Sequence, residues 1–83
     1  MYMKGANMVN EFNAIIGQRI SKLRVAKGWT REEAAFQALM SPKHLYEVES
    51  GKKSISVEKL VNLAKAFDVS CDYLILGDSE ENG

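Results

Sequence analysis

The feature that most constrains this chain is a regular alternation of helix-capping residues and glycines. Gly28, Gly51 and Gly77 each follow a segment whose apolar residues recur at helical spacing, and glycine favours the left-handed backbone that ends a helix. Threonine or serine opens four of the five segments, and these side chains accept hydrogen bonds from the free amide groups of a first helical turn. The pattern therefore predicts short helices joined by tight turns.

Five helices are predicted, and no run of five or more residues alternates between apolar and polar as a strand would. The first spans about residues 13–27, and the T-R-E-E stretch at residues 30–33 is a capping box that opens a second helix ending near Ala38. Ser41, Ser56 and Ser70 are predicted to cap the other three helices. The predicted inward-facing residues are Ile16, Ile20, Leu23, Leu45, Val48, Leu60, Leu63, Ala64 and Phe67. In the last helix, Tyr73, Leu74 and Leu76 are available for burial.

Length and composition favour one globular domain. Eighty-three residues are enough for a single core, and 46% hydrophobic with 27% charged residues is neither a disordered nor a membrane composition. The longest apolar run, residues 73–76, is too short for a membrane span or a signal-peptide core. One cysteine and one histidine exclude an intramolecular disulfide and a zinc site. We therefore expect a cytoplasmic protein without metal, cofactor or membrane contact.

The charges are unevenly distributed along the chain. Eleven basic and eleven acidic residues give a formal net charge of +0, which by itself argues against a nucleic-acid partner. Residues 1–53, however, hold nine Lys/Arg against five Asp/Glu, whereas residues 54–83 hold two against six. The neutral total therefore conceals a basic N-terminal part and an acidic C-terminal part.

Three stretches of sequence resemble a known family. They read IGQRISKLRVAKGWTREEAA, MSPKHLYEVESGK and VEKLVNLAKAFDVSCDYLILG. In this order and at these spacings, they resemble the helix-turn-helix domain of phage repressors, Cro proteins and bacterial xenobiotic-response-element-type (XRE) regulators. The resemblance implies an all-α, compact five-helix fold like that of lambda repressor. It also implies a flexible extension at residues 1–12, a DNA-binding domain at residues 13–77 and an acidic disordered tail at residues 78–83.

By the same resemblance, the chain is expected to be a sequence-specific transcriptional regulator and not an enzyme. The scattered His44, Cys71 and carboxylates also lack the spacing of a catalytic or metal site. The expected action is repression, as a homodimer on a near-palindromic DNA operator, with no small-molecule ligand. Residues 31–38 would form the bracing helix and residues 42–50 the recognition helix in the major groove.

The resemblance assigns four residues of the recognition helix to base edges: Pro42, Lys43, His44 and Glu47. Lys43 can donate to guanine O6 or N7, and Glu47 can accept from cytosine N4. Pro42 offers only apolar contact. The sequence also permits a surface pair between Lys43 and Glu47, which are four residues apart, and a capping or solvent-exposed role for His44.

Phosphate contacts are expected from the start of the bracing helix, from Tyr46 and from the end of the recognition helix with the loop after it. The residues assigned to them are Thr30, Arg31, Tyr46, Ser50, Lys52 and Lys53. The alternatives are that Tyr46 is a half-buried surface aromatic and that the two lysines are merely solvated.

Other residues are assigned structural or assembly roles. In the family an arginine late in the first helix pairs with a glutamate near the end of the recognition helix, which implies an ion pair between Arg24 and Glu49. Leu39 and Asp68 stand where relatives often have glycine, so both are expected to be left-handed or strained. The predicted dimer interface comprises Val69, Tyr73, Leu74 and Leu76.

Two residues and one alternative function stay open. Phe36 can cover extra core, line a dimer contact or form a surface patch, and Cys71 is a small core residue or a redox sensor. The alternative function is a protein-interaction module, such as an antitoxin-like or anti-regulator partner, that keeps the fold and uses Phe36, Tyr46 and the last helix.

Overall fold

Five helices follow one another along the chain, and the described residues contain no strand. The computed structural model describes residues 2–77, with side chains from residue 11 onward. The acidic residues Asp78, Glu80 and Glu81 of the predicted tail lie outside this range. The helices are α1 (Tyr2–Ala26), α2 (Arg31–Ala38), α3 (Pro42–Glu49), α4 (Val57–Phe67) and α5 (Cys71–Leu76). No helix among the described residues is long and apolar enough to cross a membrane.

Helix α1 is longer than the sequence pattern indicated. It begins at Tyr2, so the predicted start at about Asn13 is wrong. The reason is that residues 2–12 contain no proline, and the one glycine among them, Gly5, costs only about 1 kcal/mol in a helix interior. The helix ends as predicted, because Gly28 adopts a φ of 74° and its amide donates to the carbonyl of Val25 at 2.9 Å.

The predicted N-caps of the four later helices are confirmed. Thr30 and Glu33 form a reciprocal capping box, in which the Glu33 amide donates to Thr30 Oγ1 at 3.1 Å and the Thr30 amide donates to Glu33 Oε1 at 2.8 Å. Ser41, Ser56 and Ser70 each accept from the amide three residues later. Local sequence thus sets where α2 to α5 begin.

The α2–α3 and α4–α5 pairs contain the same turn. Leu39 ends α2 with φ 59° and ψ 47°, and Asp68 ends α4 with φ 60° and ψ 45°, which confirms that both positions are left-handed. The next amide along, of Met40 or Val69, donates to the carbonyl five residues back at 3.0 and 2.9 Å. These bonds satisfy carbonyl groups that a helix end otherwise leaves unpaired.

The core lies where all five helices meet. It is formed by Ile16, Ile20, Ala34, Ala35, Ala38, Leu45, Val48, Leu60, Leu63, Ala64, Phe67 and Leu74. All the predicted inward-facing residues belong to this cluster except Leu23, which is half-buried against it. Helix α3 packs on α1 and α2, and α2 packs on α4, so the recognition helix rests on two other elements.

Helix α5 packs on α4 and α1. Leu74 is fully buried there, so its prediction as a dimer-interface residue is wrong: a side chain that fills the core of its own domain has no surface left for a partner. Arg19 of α1 also donates through its NH1 group to the carbonyls of Leu74 and Ile75 at 3.2 and 3.0 Å. These bonds tie the end of α5 to α1.

Candidate nucleic-acid interface

Helix α3 buries one side and exposes the other. Ser41 caps it, Pro42 fits its first turn because that position needs no amide hydrogen, and Leu45 and Val48 face the core. Pro42, Lys43, Tyr46 and Ser50 are exposed, whereas His44 and Glu47 are half-buried. The predicted base-contact residues therefore all retain surface on one short helix.

A buried ion pair fastens α3 to α1. Arg24 donates through Nε to Glu49 Oε2 at 2.7 Å and through NH2 to Glu49 Oε1 at 3.2 Å. Its NH1 group donates to the Trp29 carbonyl at 2.9 Å. The Glu49 side chain is only 3% exposed, so its charge requires these partners, and removing one partner of such a pair typically costs about 3–5 kcal/mol.

Arg31, the predicted phosphate contact at the start of α2, joins the same carboxylate. Its Nε donates to Glu49 Oε1 at 3.0 Å, while 42% of the side chain stays exposed. The sequence did not indicate this second ion pair, because the resemblance implied a pair between Glu49 and Arg24 alone. A guanidinium carries five N–H donors, and within the described part of the chain only the one on Nε has an acceptor. The remaining donors are therefore available to an external anion.

Tyr46 lies beside two cations. The guanidinium carbon of Arg31 is 5.3 Å from the centre of the Tyr46 ring, and the ammonium of Lys52 is 5.4 Å from it. Tyr46 is 44% exposed, so more than half of its surface is covered, and the half-buried alternative stays open. It stands on the last part of α3, between the start of α2 and the loop that follows α3.

Glu47 pairs with different residues from the one anticipated. Its Oε1 lies 3.8 Å from His44 Nδ1 and 3.9 Å from Lys53 Nζ. No contact with Lys43 is seen, and Lys43 forms no ion pair among residues 11–77. The alternative surface pair between Lys43 and Glu47 is therefore not formed, and the exposed Lys43 ammonium is open to a partner.

The remaining predicted phosphate contacts lie along the same side. Thr30 is exposed at the start of α2, although its Oγ1 is used in the capping box. Ser50 is exposed and donates to the Glu47 carbonyl at 3.2 Å, and Lys52 and Lys53 are exposed in the following loop. We call the α2–α3 surface the set formed by Thr30, Arg31, Pro42, Lys43, His44, Tyr46, Glu47, Ser50, Lys52 and Lys53.

Two supports of this surface are not among the predicted contacts. A Cβ at Gly17 would overlap the Val48 carbonyl oxygen and lie 2.7 Å from that of Glu49, so α1 and α3 approach each other backbone to backbone. Asn62 and Lys59 of α4 donate to the carbonyls of Ala38 and Leu39 at the end of α2. A glycine within an otherwise helical pattern could have indicated the first contact.

Phe36 and the predicted dimer residues are not among the residues of the α2–α3 surface. Phe36 is 78% exposed and lines a groove of about 300 Å³ with Trp29, Glu32, Glu33 and Gln37, so it does not cover core. Leu76 is 60% exposed, and Val69 and Tyr73 are half-buried. Cys71 is a free, half-buried cysteine packed against the core.

Comparison with known proteins identifies the family. A model described as "Helix-turn-helix" matches residues 20–74, which is more than half of the chain. The chain belongs to the helix-turn-helix family. The members it resembles are of the XRE, or Cro/C1, type, whose proteins are DNA-binding transcriptional regulators and not enzymes. The matched segment includes α2, α3 and α4, and therefore nearly all of the geometry described above.

Individual helix-turn-helix proteins show how far the likeness extends. An uncharacterized HTH-type transcriptional regulator of Rickettsia prowazekii is 34% identical over 76 residues, which cover 92% of this chain but only 58% of that protein. The restriction-modification controller protein C.AhdI from Aeromonas hydrophila superposes with a TM-score of 0.72 at 32% identity, covering 75% of this chain and 94% of that one. The P22 c2 repressor protein, solved in complex with synthetic operator 9T, gives 0.74 at 26% identity, with coverages of 77% and 97%.

Proposed function

We propose that this chain binds double-stranded operator DNA, with α3 in the major groove, and thereby regulates transcription. The observation that carries the proposal is the arrangement of the α2–α3 surface: α3 exposes Lys43, and the Arg31 guanidinium and the Lys52 ammonium lie together beside the Tyr46 ring of the same helix. A helix fits the major groove, and cations beside it meet phosphates. The P22 c2 repressor, whose solved structure contains an operator, supports this mode of binding.

The four outward residues at the start of α3 are proposed to read bases. Lys43, which has no intramolecular ion pair in the described residues, donates to guanine O6 or N7. Glu47 accepts from cytosine N4, and the Lys53 ammonium, 3.9 Å from its carboxylate, offsets part of its repulsion from phosphates. Pro42 offers an apolar surface to a thymine methyl, and His44 reaches the neighbouring base edge.

The phosphate contacts are proposed to come from the margins of the same surface. Thr30 and Arg31 lie at the start of α2, where the amide groups of the first turn and the helix dipole favour an anion. Ser50, Lys52 and Lys53 lie at the end of α3 and in the loop behind it, and the Tyr46 ring lies beside the Lys52 ammonium. Contacts of this kind fix the orientation of α3 on DNA without reading its sequence.

The proposed active form is a homodimer that represses transcription from a near-palindromic operator. One domain of this size reads about half a site, and paired half-sites lie about 34 Å apart. Val69, Tyr73 and Leu76 keep apolar surface at the α5 end, which supports self-association there. Residues 13–77 would be the DNA-binding domain, residues 1–12 an N-terminal extension and residues 78–83 an acidic tail directed away from DNA, in a cytoplasmic protein.

Selection of bound sequences from a random DNA pool tests the DNA-binding proposal. The wild type should recover a motif with twofold symmetry. Lys43→Ala should relax one position of each half-site, at a cost of about 1–3 kcal/mol, because it removes a base contact. Arg31→Ala should weaken all sequences alike, because it removes a phosphate contact. Recovery of no motif by the folded wild type would contradict sequence-specific binding.

Sedimentation equilibrium with and without a recovered operator tests the dimer. We expect a dimer on the operator and a concentration-dependent dimer without it. Leu76→Glu should shift the equilibrium to monomer while leaving the fold intact, because Leu76 is exposed. A monomer at high micromolar concentration both with and without operator would overturn this part of the proposal.

The exposed Phe36 favours a second candidate function, a protein-interaction module. Its groove contains aromatic side chains beside the carboxylates of Glu32 and Glu33, and it is separate from the residues proposed to contact DNA. An antitoxin-like or anti-regulator role would use this groove and would need little DNA affinity. The dependence of DNA affinity on salt separates the two functions, because only phosphate neutralisation gives a steep loss of affinity as salt rises.

A further inference from the structure

The ring of Tyr46 connects two cations that come from different elements. Arg31 belongs to the first turn of α2 and Lys52 to the loop after α3, and each lies within 5.4 Å of the ring centre. A cation over the face of an aromatic ring within about 6 Å is attracted by its quadrupole. The two positive groups repel each other, so the ring is what favours their placement at one point of the surface.

The ring is suited to this placement because it carries no net charge. A carboxylate at position 46 would also attract both cations, but it would neutralise part of the charge that they offer to a phosphate. The aromatic face attracts them and leaves both formal charges in place. The Tyr46 hydroxyl has no hydrogen-bond partner among residues 11–77, so the described contacts of this side chain are made by the ring.

Arg31 is also fixed at a second point. Its Nε donates to Glu49 Oε1 at 3.0 Å, and Arg24 holds that carboxylate at 2.7 Å. With Nε fixed and the ring alongside, the guanidinium has a defined orientation, and its other donors have no acceptor in the described residues. A long, flexible side chain therefore loses part of its conformational freedom before DNA arrives, which lowers the entropy cost of the phosphate contact.

We propose that Tyr46 is a positioning residue: its ring, and not its hydroxyl, holds Arg31 and Lys52 ready for phosphates of the DNA backbone. This inference rests on the proposed DNA-binding function. It replaces a direct phosphate contact by the Tyr46 hydroxyl with an action through two neighbouring cations. It also implies that the effect of Tyr46 is independent of DNA sequence.

Binding of a mixed-sequence DNA duplex of about 30 base pairs, long enough for two half-sites, tests the proposal across a salt series. Tyr46→Phe keeps the ring and should bind like the wild type. Tyr46→Leu removes the ring and should weaken binding about fivefold to tenfold, in line with two exposed cation–π contacts. It should also reduce the steepness of the salt dependence, because fewer counterions are released. Thermal unfolding of each variant checks that the fold is intact.

A double-mutant cycle with Lys52 gives a reading that a merely structural role would not change. Tyr46→Leu should cost less in a Lys52→Ala background than in the wild type, because one of its two cations is then absent. Equal losses for Tyr46→Phe and Tyr46→Leu would assign the role to the hydroxyl and overturn the proposal, as would wild-type affinity for Tyr46→Leu. A folded wild type that binds no duplex at low salt would instead overturn the proposed function, and this inference with it.

Discussion

The α2–α3 and α4–α5 helix pairs contain the same turn and cap, but they differ in their charged residues. In both, a left-handed residue, Leu39 or Asp68, ends the first helix, and a serine two residues later caps the second. Four residues after that serine, Leu45 and Leu74 are both fully buried. The same left-handed turn and serine cap thus occur twice among residues 2–77, but only the first pair of helices bears the α2–α3 surface.

The side chains at matched positions explain the difference. Counted from the turn, Lys43 of α3 corresponds to Asp72 of α5, and Arg31 of α2 corresponds to Leu60 of α4. The α2–α3 pair presents the cations of Lys43 and Arg31. The α4–α5 pair presents the Asp72 carboxylate and buries Leu60 in the core. The comparison teaches that the turn and the cap alone do not make a DNA-binding surface, and that the charges on the two helices decide whether the pair suits DNA.

The largest expected effect concerns the ion pairs of Glu49, which join α3 to α1 and to α2. Glu49→Gln should lower the free energy of unfolding by about 3 kcal/mol or more, because it leaves Arg24 and Arg31 without their shared carboxylate. Urea unfolding measures the loss. Glu47→Gln is the matched control and should cost less than about 1 kcal/mol, since the ion-pair distances of Glu47 are 3.8 and 3.9 Å. Similar losses for the two variants would contradict the structural role of Glu49.

The two buried leucines test whether the pairs are equivalent in packing. Leu45→Ala and Leu74→Ala should each lower the free energy of unfolding by about 2–5 kcal/mol, because both create a cavity in the same core. Denaturant unfolding at several protein concentrations is the measurement. If Leu74→Ala changed only the dissociation of a dimer and left the unfolding of the monomer unaltered, the burial of Leu74 within its own domain would be contradicted.

An exchange of charge between the pairs has a smaller effect, on DNA affinity. Lys43→Asp should weaken binding to a selected operator by about 1–3 kcal/mol, because a base contact is lost and a carboxylate faces DNA. Asp72→Lys should leave the affinity unchanged, because Asp72 does not belong to the α2–α3 surface. Fluorescence anisotropy at fixed salt compares them. If Asp72→Lys raised the DNA affinity as much as Lys43→Asp lowered it, the net charge of the protein and not the position of the charge would control binding.

The smallest expected effect is at the turn that the pairs share. Leu39→Gly should raise the free energy of unfolding by about 1 kcal/mol, because glycine adopts the left-handed conformation without steric cost and the exposed Leu39 loses few contacts. Asp68→Gly should gain less, since aspartate tolerates this conformation better. Thermal unfolding of both variants compares the gains. A larger gain at Asp68 than at Leu39 would contradict this account.

Much of the fold could be predicted from the sequence because interactions between residues close together in the chain determine where the helices begin and end. Thr30, Ser41, Ser56 and Ser70 cap helices whatever the tertiary structure, and Gly28 ends α1 through its own backbone freedom. The start of α1 was misplaced because nothing between Tyr2 and Asn13 forbids a helix. A stretch without helix-breaking residues does not indicate at which residue a helix begins.

The site was harder to predict, because its contacts join residues distant in sequence. The position of Glu49 near the end of α3 implied a link to Arg24, yet the same carboxylate also binds Arg31. The Glu47 carboxylate lies near His44 and Lys53, and not near Lys43. Side-chain choices among several nearby partners depend on three-dimensional distances, which helical spacing does not supply.

The backbone contact at Gly17 has a consequence for engineering this domain. Since a Cβ there would overlap the Val48 carbonyl, the separation of α1 and α3 is set by main-chain atoms and not by exchangeable side chains. Residues on the outer face of α3 can therefore be replaced to read another sequence without altering how far the helix protrudes. A substitution at position 17, by contrast, would change that protrusion, and every residue on the reading face would be displaced together.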